Sequence, residues 1–364
     1  MAEKILKVGI IGCGGIANGK HMPSISHFKN VEMVAFCDII IERAEKAAEE
    51  YGAKGAKVYK DYKELLANKA VEAVYVLTPN REHSVMSIDA LESGKHVLCE
   101  KPMAKTSKEA RAMVEAAKKS GKLLTIGYQG RYRQSSQYIK GMVSRGELGE
   151  IYFAKAHAIR RRAVPTWGVF LDEDAQGGGP LIDIGTHALD LTLWTMNNYK
   201  PKSVMGNVYH KLNANGKSGN AFGDWDPKEF TVEDSAFGFI TMEDGATIIL
   251  ESSWALNTRD NRESCTTLCG TKAGVDMSAP YGDRIYINGD EHGKLYVKEP
   301  DLSVGSVPFY EGESTIPEVV EQSVFINAIL NNAPLTVLPE QACVVTEILE
   351  AIYESAKTGK PYVF

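Results

Sequence analysis

The chain has 364 residues, 44% of them hydrophobic and 24% charged, with a formal net charge of −6. One hydrophobic core rarely grows beyond roughly 250–300 residues, so this length calls for two domains. The acidic balance, with no long basic run, excludes nucleic acid and an anionic membrane surface as partners on bulk electrostatics, and no apolar stretch nears the roughly 18 residues of a membrane span.

In chain order, Met1-Ala2-Glu3-Lys4 leads straight into the apolar run 5–11. The run is too short for a signal peptide, and glycines follow where a small-residue cleavage site would stand, so it reads as a strand of a cytoplasmic protein. Apolar strand candidates at 7–11, 32–37, 73–77, 96–99 and 123–126 alternate with helical stretches at 41–51, 62–68, 83–92 and 105–120. Short strands separated by helices mean βαβ units and a parallel sheet covered on both faces.

The pattern changes after Gly127. A helix at 135–145 runs into the stop Gly146-Glu147-Leu148-Gly149, and alternating segments follow at 151–159, 203–212, 235–242, 247–254 and 264–268. Two more, 284–287 and 294–297, flank a turn containing Asn288-Gly289 and His292-Gly293. This predicts a mostly antiparallel sheet. One helix, 180–196, interrupts it, and a final helix, 339–357, is free to pack on either domain. The Gly-, Asn- and Asp-rich stretch 213–226 reads as a long loop of the kind often tied to function. Six scattered cysteines, of which Cys265 and Cys269 come closest to a metal spacing without a second Cys/His pair, predict free thiols and no metal.

Gly12-Cys13-Gly14-Gly15-Ile16-Ala17 fits G-x-G-x-x-A between a strand and a helix running from Ile16 to about Ser26. Gly12 allows the tight turn, Gly14 the approach of a pyrophosphate, and Ala17 close helix–strand packing; the helix N-terminus then offers free N–H groups. Asp38 ends the second strand, at the interval where an acid holds ribose hydroxyls and repels a 2′-phosphate, favouring NAD over NADP; Arg43 nearby argues the other way. Polar clusters follow two further strand ends: Thr78-Pro79-Asn80-Arg81-Glu82-His83, and Glu100-Lys101-Pro102. Lys101, before a proline, is either poised over the ligand crevice or a surface lysine. His83 is either a helix-start residue or a cofactor contact.

These residues, Glu100-Lys101-Pro102 above all, resemble the Gfo/Idh/MocA family, named for glucose–fructose oxidoreductase and inositol dehydrogenase. The resemblance extends over essentially the whole chain, including Gly127 to Arg131, Glu251 to Trp254, and Gly178-Gly179-Pro180-Leu181-Ile182-Asp183-Ile184-Gly185-Thr186-His187. It implies an N-terminal Rossmann domain (1–126), doubly wound on a parallel sheet, and a C-terminal domain (127–364) with a mostly antiparallel, open-faced sheet: α/β plus α+β. It implies NAD as cofactor, held by Gly12, Gly14, Gly15, Ile16, Asp38, Thr78, Pro79, Asn80, His83, Glu100, Lys101 and Gln129. A homodimer or homotetramer is expected because an open sheet face needs covering.

Asp183, His187, Asp190 and Trp194 recur at helical spacing among apolar neighbours, and so polar a stripe on so apolar a helix needs a reason, because unpaired buried polar groups are costly. Oxidising a secondary alcohol requires a base for the O–H proton and a charge to stabilise the oxygen. His187 suits the base, an unperturbed imidazole titrating near ~6.5. Asp183 orients it or the substrate, and the Lys101 ammonium stabilises the oxygen; the resemblance assigns the same three residues. Arg162 and Trp167, from the stretch after 151–159, suit a polyhydroxylated ligand, an indole stacking on a sugar face; Arg131 is a further substrate candidate. The expected function is an NAD-dependent dehydrogenase of a sugar, inositol or related polyol. The competing readings are a glycosidase that uses NAD as an internal redox catalyst and a non-catalytic NAD-binding regulator.

Overall fold

A computed structural model describes residues 4–217, 219–278, 282–303 and 315–364. Residues 1–3 of the N-terminal reading and residue 218 of the expected 213–226 loop lie outside the described residues. The chain divides into two compact units, Met1–Gln129 with Gly312–Cys343, and Gly130–Glu311 with Val344–Phe364. The sequence placed one cut between 126 and 127. The contacts instead assign a late segment to the first unit and divide the last helix between the two.

In the first unit, β1 (Leu6–Ile11), β2 (Val31–Cys37), β3 (Lys57–Tyr59), β4 (Ala73–Val76), β5 (His96–Cys99) and β6 (Leu124–Ile126) form one sheet in the order β3-β2-β1-β4-β5-β6. Every pairing is parallel. The order reverses between β1 and β4, the point at which doubly wound sheets bind ligands. Between the strands lie α1 (Met22–Ile25), α2 (Ile41–Tyr51), α3 (Tyr62–Ala67), α4 (Asn80–Glu92) and α5 (Ser107–Ser120). Local chemistry sets their ends: Thr106 and Glu109 form a reciprocal capping box on α5, and Gly121 closes it in the left-handed conformation. The helix expected from Ile16 begins with a five-residue π turn, Ala17–His21, before α1. The core holds Leu6, Val8, Ile10, Phe36 and Tyr75, together with Phe325 and Ile326 of the distant helix Pro317–Asn331.

The second unit opens with α6 (Gln134–Ser144), β7 (Ile151–Ile159), α7 (Glu173–Gln176) and α8 (Thr186–Met196). Strands β8 (Pro201–Tyr209), β9 (Ser235–Met242), β10 (Thr247–Ser253), β11 (Arg262–Gly270), β12 (Ala273–Met277), β13 (Ile285–Glu291) and β14 (Lys294–Lys298) follow. The last elements are α9 (Pro317–Asn331, already placed in the first unit), α10 (Pro339–Thr358) and β15 (Tyr362–Val363). The sheet order is β14-β13-β12-β11-β7-β10-β9-β8-β15, antiparallel except for the parallel pair β7–β10. The β13–β14 turn is His292-Gly293, both at positive φ as a tight hairpin turn demands, whereas Asn288-Gly289, expected in the turn, stays within β13.

One face of this sheet is covered. Thr192 of α8 hydrogen-bonds Thr266 of β11, whose neighbour across the ladder is Ala156, so the small residues Ala154, Ala156 and Ala158 let the helix lie close. On the same face, Gly206 and Gly238 make room for Ile352 of α10. The opposite face carries Met205, paired with Phe239, which is 51% exposed, and Phe239 is in turn paired with Ile249. No described helix is long and apolar enough to cross a membrane. None of the six cysteines is in a disulfide.

Candidate active site

The glycine loop sits at the carboxyl end of β1, beside the switch point. Gly12 has φ +91°, and a Cβ there would come within 2.6 Å of the Leu77 carbonyl oxygen, so only glycine fits. At Gly14 and Gly15 the opposite holds: a Cβ would meet nothing within 4 Å. The backbone there faces open space, as a pyrophosphate needs. Asp38 holds the loop in place, one carboxylate oxygen accepting from Cys13 N at 2.8 Å and the other from Ile40 N at 2.9 Å. A carboxylate has about four lone-pair sites, so two remain for ribose hydroxyls. Ile16, Ile39 and Ile40, all exposed, add apolar surface around this acid. At the end of β4, the buried Thr78 Oγ1 has no hydrogen-bond partner among the described residues. An open cradle, an acid with capacity to spare, and an orphan hydroxyl at the switch point together fit a dinucleotide.

The other expected cofactor contacts after β4 differ in their surroundings. His83 is buried with Nδ1 2.7 Å from the Pro102 oxygen and Nε2 2.9 Å from the Thr78 oxygen. Each ring nitrogen faces a carbonyl oxygen, one in the loop after β4 and one in the loop after β5; burial holds its pKa below the ordinary value, and the neutral ring donates its single N–H to one of the two. Pro79 is exposed and caps α4, and Asn80 is its first, buried residue.

Glu100 also turns inward. One oxygen takes Lys20 Nζ at 2.9 Å and His21 Nε2 at 2.7 Å; the other takes the Lys101 backbone N–H at 2.9 Å. It therefore fixes the Lys101 backbone. Lys20 also bridges to Glu321 at 3.0 Å and donates to Gln129 Oε1 at 3.2 Å, so Gln129 too belongs to this buried network. His21 Nδ1 accepts from Gln322 Nε2 at 3.3 Å, which places its proton on Nε2. Two carboxylates share one ammonium. Glu100, with three donors, is held well below the usual carboxylate range despite its burial. Glu321, with Oε1 unpartnered among the described residues, is pushed up by burial to about 7. Burial and the Lys20 charge lower His21 to about 4. Lys20, His21, Glu321 and Gln322 escaped the sequence reading, because the pairing joins segments some three hundred residues apart.

In the second unit, the glycine motif proves to be a steric requirement. A Cβ at Gly178 would lie 2.0 Å from the Tyr353 hydroxyl, and one at Gly179 2.3 Å from the Glu233 oxygen. The buried Glu233 carboxylate accepts from Gly179 N at 2.8 Å, Leu181 N at 3.1 Å and the Tyr353 hydroxyl at 2.9 Å. It thus caps the chain entering α8, which begins as a second π turn, Leu181–Gly185. Such turns gather at functional sites. Asp183 lies in this turn, its Oδ2 accepting from Trp254 Nε1 at 3.0 Å and standing 4.0 Å from Arg160 Nη1. His187 follows in the first turn of α8, partly exposed. Trp254, Glu233 and Tyr353 were not foreseen as site-forming residues.

The polar stripe on this helix splits. Asp190 is buried against Arg131, whose Nε and Nη2 reach its two oxygens at 3.0 and 2.6 Å, with the guanidinium over the Trp194 ring at 5.6 Å. Arg131, expected at the substrate, is fully buried and paired in this bidentate bond, so it joins the packing of α8 instead. Arg162, at φ +54°, donates to Asn257 at 3.2 Å, and Trp167 lies 52% exposed on the same loop. Among the described residues, no group of three or more His, Cys, Asp or Glu side chains is placed to hold a metal ion.

The comparisons agree with this architecture. Residues 6–128 match the oxidoreductase family described by its NAD-binding Rossmann fold, and residues 136–276 match the GFO/IDH/MocA C-terminal domain. D-glucoside 3-dehydrogenase of Escherichia coli (strain K12) is 36% identical over 99% of this chain and 97% of that protein. Inositol 2-dehydrogenase of Salmonella typhimurium is 31% identical over 55% of this chain and 57% of that protein. Levoglucosan dehydrogenase, solved with NADH and levoglucosan, shares the fold at TM-score 0.83 and 20% identity, covering 99% of both chains. With both halves matched and a relative aligned almost end to end, the chain belongs to the Gfo/Idh/MocA family of oxidoreductases, with an NAD-binding Rossmann domain.

Proposed function

We infer that this chain oxidises a secondary hydroxyl of a sugar, inositol or related polyol, with NAD preferred to NADP as the hydride acceptor. The observation that carries the reading is the construction around Asp183 and His187. A buried glutamate, the Tyr353 hydroxyl bonded to it and the indole of Trp254 fix one short turn, leaving a carboxylate on the turn and an imidazole in the helix that follows, both partly exposed. A carboxylate fixed in this way, one helical turn before an imidazole, suits general acid–base catalysis.

When bound, nicotinamide supplies the acceptor for the carbon-bound hydride. The residues do the rest. His187 takes the hydroxyl proton, and Asp183, itself held by Trp254, orients the imidazole or the substrate. The Lys101 ammonium, on a backbone tied to Glu100, stabilises negative charge on the oxygen. Asp38 accepts from the adenosine ribose hydroxyls and repels a 2′-phosphate. The relatives act, by their names, on D-glucosides and inositol, which supports the substrate class.

The test is turnover of a sugar, glucoside and cyclitol panel with NAD and with NADP, read by reduced-nicotinamide absorbance. His187→Ala and Lys101→Met should each lower kcat by roughly 10²-fold or more while leaving the melting temperature nearly unchanged. Turnover that survives His187→Ala, or no turnover of any polyol, would overturn the assignment. Release of an aglycone without net NADH would point to redox-assisted glycoside cleavage, and NAD binding without reaction to a regulator.

The open face around Met205, Phe239 and Ile249 is the surface through which we expect a homodimer or homotetramer to form. Light scattering at micromolar concentration should give two or four chain masses. Phe239→Lys should shift the distribution to the monomer.

A further inference from the structure

On two loops of the second unit, large aromatic side chains stand at the surface instead of in the core. Trp167 is 52% and Phe222 45% exposed, with their rings edge-to-face at 4.8 Å; the Phe170 ring also meets Trp167 edge-on, at 5.7 Å. The loops that bear them are rigidly joined. Asn220 accepts from Val164 N at 2.8 Å and donates to the Val164 oxygen at 3.0 Å and the Gly223 oxygen at 2.8 Å. Ala221 N donates to the Arg162 oxygen at 2.8 Å, and the Thr166 hydroxyl to the Phe222 oxygen. A ledge of fixed, exposed rings costs solvation unless something flat and apolar covers it.

Two observations identify the covering group. First, the ledge's own loop leads back to the site. Arg160 stands 4.0 Å from Asp183, and Ala163 N donates to the main-chain oxygen of Trp254, whose indole holds that same carboxylate. Second, the loop borders an open surface depression of about 430 Å³ lined by Arg161, Asn257, Thr258 and Arg259. Guanidinium, amide and hydroxyl groups reached by the loop that carries the aromatic ledge, through Arg161 and the Arg162–Asn257 bond, match a ring with one C–H face and a rim of hydroxyls.

We propose that Trp167, Phe170 and Phe222 form a stacking subsite for a second sugar ring, linked through a glycosidic bond to the ring that is oxidised. The inference rests on the dehydrogenase reading above and narrows its substrate to glycosides larger than a monosaccharide. Phe222 comes from the glycine- and asparagine-rich stretch that the sequence marked as a functional loop without giving it a task.

The experiment uses the full chain with NAD and three substrates: glucose, methyl glucoside and a glucosyl-glucose disaccharide. The wild type should prefer the disaccharide to methyl glucoside in kcat/KM by about tenfold, the worth of one good stacked ring. Phe222→Ala and Trp167→Ala should bring that ratio to near one, chiefly through KM, while Phe222→Tyr and Trp167→Phe keep it. A wild-type ratio at or below one, or a ratio that the alanine variants leave unchanged, overturns the proposal. So does light scattering in which these variants lose a subunit contact without changing the ratio. If no sugar is turned over, the dehydrogenase reading fails, and saturation-transfer NMR tests the ledge by itself. Contact to the disaccharide's ring protons that is lost in Phe222→Ala upholds a sugar-binding ledge, and no contact with the wild type overturns it.

Discussion

Lys20 faces two buried carboxylates with one charge, and the imbalance has a measurable sign. Glu321 is pushed up from 4.5 to about 7 by burial and by the neighbouring Glu100 charge, despite Lys20. Between those values the folded chain holds a proton that the unfolded chain has lost, so this group's share of stability is present at low pH and declines as pH rises through the window. His21, lowered to about 4, acts in the opposite sense, its share being lost as pH falls from 6.5. Glu321→Gln removes only the first titration. The melting temperature of this variant minus that of the wild type should therefore climb by a few degrees between pH 4.5 and pH 7, reflecting at most ~3 kcal/mol. A difference that stays flat over that range would show that Glu321 is ionised throughout. None of this was visible in the sequence. Gly12 and Asp38 announce themselves because the chemistry of the glycine loop lies within one βαβ unit, whereas Lys20 reads as an ordinary helix residue until Glu321 is known to lie beside it.

The helix that carries Asp183 and His187 is held by an ion pair, one member of which, Arg131, the sequence suggested for the substrate. Arg131 and Asp190 are both buried, so removing one partner leaves a charge without a counterion, at a typical cost of about 3–5 kcal/mol. Asp190→Leu alone should lower the melting temperature sharply. Combined with Arg131→Met, which makes the pair apolar, it should recover most of the loss, whereas a substrate contact would show as raised KM with stability intact. Periodicity made most elements legible: α2 and β5 have the bounds read from the chain, and the two sheets have the expected character. Three kinds escaped. The three-residue β3 is too short for alternation to register, and β12, Ala-Gly-Val-Asp-Met, carries a glycine and an aspartate that weaken its strand signal. Helix α9 is buried nearly all round, so it lacks the polar stripe that marks a surface helix. The two π turns read as the start of ordinary helices, because five residues cannot distinguish the periods.

At the level of the whole chain, the nucleotide-binding unit is discontinuous. Phe325 and Ile326 of α9 share a core with Leu6, Val8 and Tyr75, and Tyr75 meets the Phe325 ring edge-on at 5.8 Å. A fragment ending at residue 129 should therefore lack a cooperative thermal transition and bind NAD poorly. Adding a peptide of residues 315–343 should restore both, as calorimetry would show; a fragment that melts cooperatively alone would refute this. The same discontinuity sets a schedule for synthesis. The first sheet leaves the ribosome early, yet roughly two hundred residues separate it from the helix that seals its core. At about 5–20 residues per second, that means a wait of roughly 10–40 seconds with Tyr75 and its neighbours uncovered. During that interval the nascent chain offers a hydrophobic handle to a chaperone, and translation speed across the intervening stretch becomes a determinant of yield.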